Sequence, residues 1–296
     1  MPRSMDTFVA GCAGGMAQVI AGQPFDMIKV RLQATQNAYK SVFDCLTRII
    51  KYEGGPFALW KGSLSPLLSV GAAVALQFGV NERTRNFVKE YTGSSQLKLS
   101  HYFACGVTAG LTNSVISIPT EHSRIRMQIQ PKNAQSIYTS SIDCGKKILN
   151  EYGWKGLYKG GVPTMLREGT AFGLYFSFYE WMISQMLTPG ENRAQLNMSS
   201  VALAGSLTGL FVWIATYPID IIKTRIQVDN FLNPEYKGSF DCLKKSVKSH
   251  GLSGLYKGFT PCALRAMPAN GATFIAYETT MQLMDFSRQK GSKGKF

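Results

Sequence analysis

The placement of charge along this chain says more than its average polarity, which is near neutral (mean hydropathy −0.04). No charged residue lies between Asp6 and Asp26, Lys61 and Glu82, Lys98 and Glu121, or Arg193 and Asp220. Two more windows of that length, Lys159 to Glu180 and Lys257 to Glu278, are interrupted only by Arg167, Glu168 and Arg265. Each window approaches the ~20 residues that an α-helix needs to cross hydrocarbon. Their polar residues (Gln18, Gln23, Asn113, Ser114, Thr216) suit helices with one face on lipid and one on water. The pattern predicts six membrane spans; buried helices of a soluble all-α protein are the competing explanation.

Self-comparison decides the organisation. Gln23-Pro24-Phe25-Asp26-Met27-Ile28-Lys29-Val30-Arg31-Leu32-Gln33 is matched by Ile118-Pro119-Thr120-Glu121-His122-Ser123-Arg124-Ile125-Arg126-Met127-Gln128. A third copy runs Tyr217-Pro218-Ile219-Asp220-Ile221-Ile222-Lys223-Thr224-Arg225-Ile226-Gln227. The shared pattern is Pro-x-acid-x-x-base-x-Arg-x-Gln. With 12 Pro in the chain, chance makes even one copy unexpected. Other landmarks keep the period: the GxxxG pairs Gly11/Gly15, Gly106/Gly110 and Gly205/Gly209, where helices can approach closely, and Asp44-Cys45, Asp143-Cys144 and Asp241-Cys242. Aromatic-Lys-Gly recurs at Trp60, Tyr158 and Tyr256, and an acid at Glu82, Glu180 and Glu278. Each repeat predicts a long helix, a loop with a short amphipathic helix, then a second long helix. The boundaries are 6–95, 96–190 and 194–286, with a basic tail at 287–296.

Composition narrows the function classes. The net charge is +14, yet only 17% of residues are charged and 45% are hydrophobic, which excludes disorder. The basic residues are not gathered into the patches or arms of a nucleic-acid binder. Six Cys without CxxC spacing and three scattered His predict neither a disulfide framework nor a metal site. The cysteines are expected to be small packing residues. No nucleophile, metal set or cofactor loop points to an enzyme. Met1 to Asp6 is too short for a secretory signal or an Arg-rich presequence before apolar sequence begins.

On the threefold motif, from about Asp6 to Asp285, the sequence resembles the mitochondrial carrier family. The resemblance implies an all-α membrane protein with six tilted helices in three pseudo-threefold repeats, each with a short matrix-side amphipathic helix. It implies a monomer in the mitochondrial inner membrane that works by alternating access through one central site.

The signature has its own physics. A proline inside a helix removes a hydrogen bond and kinks the rod, and an acid and a base three apart share one face. Three such faces around an axis would pair Asp26, Glu121 and Asp220 with Lys29, Arg124 and Lys223. By resemblance this ring is the matrix gate, and Gln33, Gln128 and Gln227 are its glutamine braces. The opposite, cytosolic gate departs from the family pattern: Glu82, Glu180 and Glu278 are present, but Arg85 is the one base. It should close more weakly. Lys61-Gly62, Lys159-Gly160 and Lys257-Gly258 begin the second helices, where open N–H groups suit a lipid phosphate. In the family such sites hold cardiolipin.

Ionisable residues inside a span mark function by default. Arg167 and Arg265 each lie eight residues after a Lys-Gly lysine, roughly 12 Å along the helix. The equivalent of Arg167 in repeat one is Ser69, followed by Val70; Ala73 is the third candidate there. The threefold symmetry is thus kept at the gates and broken at the centre, as an asymmetric substrate requires. Arg265 can hold a carboxylate bidentately and Glu168 can receive an ammonium, with Arg167 compensating Glu168 or sharing the carboxylate. The Arg-acid pair and Trp213 resemble carriers of amino acids and carnitine esters. The expected substrate is an amino-acid-like zwitterion. A carnitine/acylcarnitine carrier and an ornithine-type basic amino acid carrier are the alternatives; the missing acid near Ser69 weighs against the latter.

Overall fold

The computed structural model describes residues 4–35, 38–94, 97–130, 137–187, 196 and 198–293. Among them are nine α-helices in the predicted order. The six long ones are α1 (Ser4–Ala34), α3 (Leu64–Thr92), α4 (Leu99–Ile129), α6 (Gly161–Met186), α7 (Met198–Val228) and α9 (Phe259–Lys293). Between the members of each pair lie the short helices α2 (Val42–Tyr52), α5 (Ser141–Leu157) and α8 (Ser239–His250). Pro24, Pro119 and Pro218 sit inside α1, α4 and α7. α9 runs to Lys293, into the basic tail expected from residue 287; residues 294–296 of that tail lie outside the described residues.

Two units can be described. The first comprises residues 1–71, 123–146 and 258–296, where α1 packs along α9. The second comprises 72–122 and 147–257, where α6 packs along α7. Both invert the arrangement of a water-soluble protein. Lys29, Arg31, Asp220, Lys223 and Arg225 are buried, whereas Leu68, Phe78, Met267, Phe274 and Ile275 are exposed. Solvated proteins rarely leave so much apolar surface open, but lipid rewards it. Among the described residues, two stretches, Pro56–Thr92 and Leu203–Val228, carry windows with mean hydropathy as high as 1.5 and 1.3. The other long helices owe their lower values to inward-facing polar residues such as Gln23, Asn113, His122 and Glu168.

The recurring Asp-Cys pairs have local tasks. Asp44, Asp143 and Asp241 accept backbone N–H groups from Lys40, Thr139 and Lys237 at 3.0, 2.9 and 3.0 Å, closing the loop onto each short helix. The Lys40 and Lys237 N–H groups hold the Asp44 and Asp241 carboxyls below the usual carboxylate range. Cys45, Cys144 and Cys242 are buried behind them, and burial pushes the Cys45 thiol up to about 12. Like the other described cysteines, they carry no disulfide.

The GxxxG expectation holds in one repeat. A Cβ at Gly106 or Gly110 would lie 2.4 Å from the carbonyl of Phe172 or Glu168, so α4 and α6 meet backbone to backbone. In repeat one Gly15 and its neighbour Gly14 make the close approaches, 3.0 Å to Val70 and 3.1 Å to Thr273, while Gly11, Gly205 and Gly209 have open space at Cβ.

The first unit is tied at its base by Arg31. Its guanidinium donates to both carboxylate oxygens of Glu53 at 2.6 and 2.7 Å, to the Tyr39 hydroxyl and to the Gln128 carbonyl. Breaking a buried pair by removing one partner costs about 3–5 kcal/mol, because the other charge stays buried. Glu53→Ala is therefore expected to lower the melting temperature of the detergent-solubilised protein by several degrees. Glu53→Ala combined with Arg31→Met should lower it less.

Candidate functional site

Just beyond the in-helix prolines, the signature charges of neighbouring helices come together. In the first unit Arg124, near the end of α4, donates to Asp26 of α1 at 2.6 Å. The same Nη2 donates to Gln23 Oε1 at 2.8 Å, and Gln23 Nε2 donates to the Lys61 carbonyl at 3.0 Å. Arg265 of α9 reaches the second oxygen of Asp26, with Nε 3.4 Å from Oδ1. Gly22 makes room for it, since a Cβ there would stand 2.6 Å from that nitrogen.

In the second unit Lys223 of α7 pairs with Glu121 of α4. Arg167 of α6 pairs with its neighbour Glu168, and extends to Glu121 at 3.4 Å and Asp220 at 3.7 Å. Glu168 is only 4% exposed, and its Oε2 accepts from Asn113 Nδ2 at 3.1 Å. The other expected gate pair, Lys29 with Asp220, has one member in each unit.

Several residues sit differently from the sequence expectation. Arg167 compensates Glu168 as expected, but it also reaches the gate acids Glu121 and Asp220, and Arg265, expected as a substrate contact apart from the gate, lies against Asp26. In a low-dielectric surround a long cationic side chain goes to a buried acid within reach. The brace at the Asp26–Arg124 pair is Gln23, the residue before the proline, rather than Gln128. Both carboxamide atoms of Gln128 are buried with no hydrogen-bond partner among the described residues, and its Cγ packs against Gly62. Gln227 likewise packs against Gly160 and lies 3.5 Å from the Thr164 hydroxyl; Gln33 is fully buried. Gly160 has φ +77 and a Cβ there would meet Gln227 Cγ at 2.7 Å, so glycine is required on both counts.

The lysines before these glycines are engaged as well. Lys61 Nζ donates to the Gln130 carbonyl, and Lys159 Nζ to the carbonyls of Asp229 and Asn230. Lys257, ahead of Gly258, is held below the usual lysine value by partial burial and the Arg225 guanidinium. A cavity of about 390 Å³ lies beside Gly160 and Gly161, and Gly238 and Ser239 at the start of α8 also line it. Sequence reasoning missed this second helix start.

At the other end, Arg85 approaches Glu180 at 3.6 Å and lies over the rings of Tyr102 and Phe176, 4.7 and 5.2 Å from their centroids. Glu82 and Glu278 are exposed. Ser69 donates to the Pro66 carbonyl of its own helix, Val70 packs on Gly15, and Ala73 and Trp213 are half-buried. His122, without ligand or triad spacing in the sequence, is fully buried as a tie. Its two ring nitrogens lie 3.0 Å from the Leu157 and Gln227 carbonyls.

The family model for mitochondrial carrier proteins matches the chain three times, at residues 2–92, 95–189 and 194–288. The chain is 40% identical to the mitochondrial glycine transporter YMC1 of Saccharomyces cerevisiae, over 95% of this chain and 92% of that protein. It is 37% identical to the mitochondrial basic amino acids transporter of Mus musculus, over 90% and 86% respectively. Identity to the human mitochondrial carnitine/acylcarnitine carrier protein is 31%, over 96% and 95%. With three matched repeats, six long helices and a charged signature at each kink, the chain belongs to the mitochondrial carrier family.

Proposed function

We propose that this protein carries a small amino-acid zwitterion across the mitochondrial inner membrane, with Glu168 receiving the ammonium and Arg265 the carboxylate. The observation that carries this reading is Glu168, the one acid inside the six charge-poor windows, buried between Arg167 and Asn113. The relatives support it, since those named for glycine and for glutamate/glycine transport are each 40% identical to the chain. A carnitine ester would use the same charges. The lack of an acid at Ser69, Val70 or Ala73 gives a second, side-chain ammonium no partner, which argues against basic amino acids.

The mechanism follows from shared charges. Arg265 also serves Asp26, and Arg167 serves Glu168, Glu121 and Asp220. A substrate carboxylate at Arg265 competes with Asp26, and an ammonium at Glu168 competes with Arg167. Binding thereby loosens the gate pairs within each unit, Asp26–Arg124 in the first and Glu121–Lys223 in the second. A ligand shifts such an equilibrium only by its differential affinity for the two states. The released pairs must therefore be compensated by contacts made only in the other state; Arg85 and Glu180, already 3.6 Å apart, are not among them. The test is uptake of labelled glycine, glutamate and carnitine by proteoliposomes. Uptake of carnitine alone, with neither amino acid, would overturn the amino-acid reading.

The lipid reading rests on the cavity at the starts of α6 and α8. Its phosphate ligands would be backbone N–H groups, because Lys159 is committed to carbonyls. Added cardiolipin is expected to raise the melting temperature of the purified monomer in detergent. No response would exclude a bound phospholipid as a structural partner.

A further inference from the structure

Asn113 is 6% exposed and faces Glu168 from α4. Its Nδ2 donates to Glu168 Oε2 at 3.1 Å, which fixes the carboxamide, because turning it over would set two oxygens against each other. Among the described residues, Oδ1 has no hydrogen-bond partner, and it is buried. Such an acceptor is costly to maintain and marks a place where a donor belongs. The pair is rigidly seated, for α4 and α6 touch backbone to backbone at Gly110 and Glu168.

A second observation comes from the repeats. Asn113 aligns with Gln18 and Val212, and Glu168 with Val70 and Ala266. Glu168 therefore has no counterpart in either other repeat, whereas Asn113 is matched by a longer carboxamide in repeat one and by valine in repeat three, so the carboxamide and the acid meet in repeat two alone. Gate residues keep the threefold pattern; a group that recognises one end of an asymmetric ligand need not.

We propose that Asn113 is a specificity-determining residue: Glu168 supplies charge for the substrate ammonium, and Asn113 Oδ1 accepts one of its N–H groups. The pair thereby selects a primary ammonium over a quaternary one. A trimethylammonium carries the same charge but no N–H, so it leaves Oδ1 unpaired. A site built to accept a hydrogen bond rejects an analogue without the donor far more strongly than a plain apolar pocket rejects a changed shape. This inference rests on the amino-acid reading above.

The test is competition against uptake of labelled glycine in proteoliposomes by glycine, N-methylglycine, N,N-dimethylglycine and trimethylglycine. The wild-type protein should bind trimethylglycine at least about tenfold more weakly than glycine, the scale set by one unpaired buried acceptor. In Asn113→Leu that ratio should collapse to within about threefold, since charge alone remains. The ratio is internal to each variant, so a smaller folded fraction does not move it. If Asn113→Leu yields no active carrier, Asn113→Ala reads the same ratio. Trimethylglycine competing as well as glycine in the wild type, or an unchanged ratio in the variant, would overturn the proposal. Wild-type protein that takes up no zwitterion would instead overturn the amino-acid reading, and this inference with it.

Discussion

Glu168→Gln should cut transport at least tenfold. Removing one hydrogen-bonded partner of a buried charge costs about 2–5 kcal/mol, and about 1.4 kcal/mol is a decade. The geometry adds a second reason. Arg167, shared among Glu168, Glu121 and Asp220, would then be left to the gate acids alone and hold them more tightly. Arg265→Lys should also be severe, because an ammonium cannot reproduce the planar fork that a carboxylate needs. Ser69→Ala, at the corresponding place in repeat one, should cost little, since that hydroxyl bonds its own helix. The three variants are compared in proteoliposomes at matched protein content. Near-normal uptake by Glu168→Gln would remove the ammonium site.

Reversing one gate pair is the second large effect. Asp26→Lys and Arg124→Glu should each lose most activity, because each strands a partner now 2.6 Å away. The double variant should recover part of it. Full recovery is not expected, as Arg265 would then face a cation where Asp26 stood. Asp26→Lys combined with Lys223→Glu should show no recovery, since Lys223 belongs to Glu121. Equal activity of the two double variants would contradict the partners assigned here.

The fold was legible because its signals repeat. A proline, an acid and a base in fixed spacing, three times over, specify kinked helices and suggest which neighbour's charge each one meets. The pairs Asp26–Arg124 and Glu121–Lys223 are of that kind. What the repeats could not convey is where long side chains end. Arg167 and Arg265 leave the second turn of their helices and reach gate carboxylates, Arg265 through space such as that at Gly22. Lys61 and Lys159 look like phosphate ligands in the sequence and bind carbonyl oxygens instead. Gln23 and Asn113 were visible as polar residues in apolar windows. Nothing in their spacing named Arg124 or Glu168 as their partners.

The central claim is that both ends of a zwitterion are held, one by an acid and one by a guanidinium. Competition of glycine uptake by its two halves, methylamine and acetate, tests it most directly. Excess unlabelled glycine should block uptake by the reconstituted protein, whereas neither half should do so at the same concentration. Acetate inhibiting as strongly as glycine would contradict it, and would make the protein a carrier of simple anions.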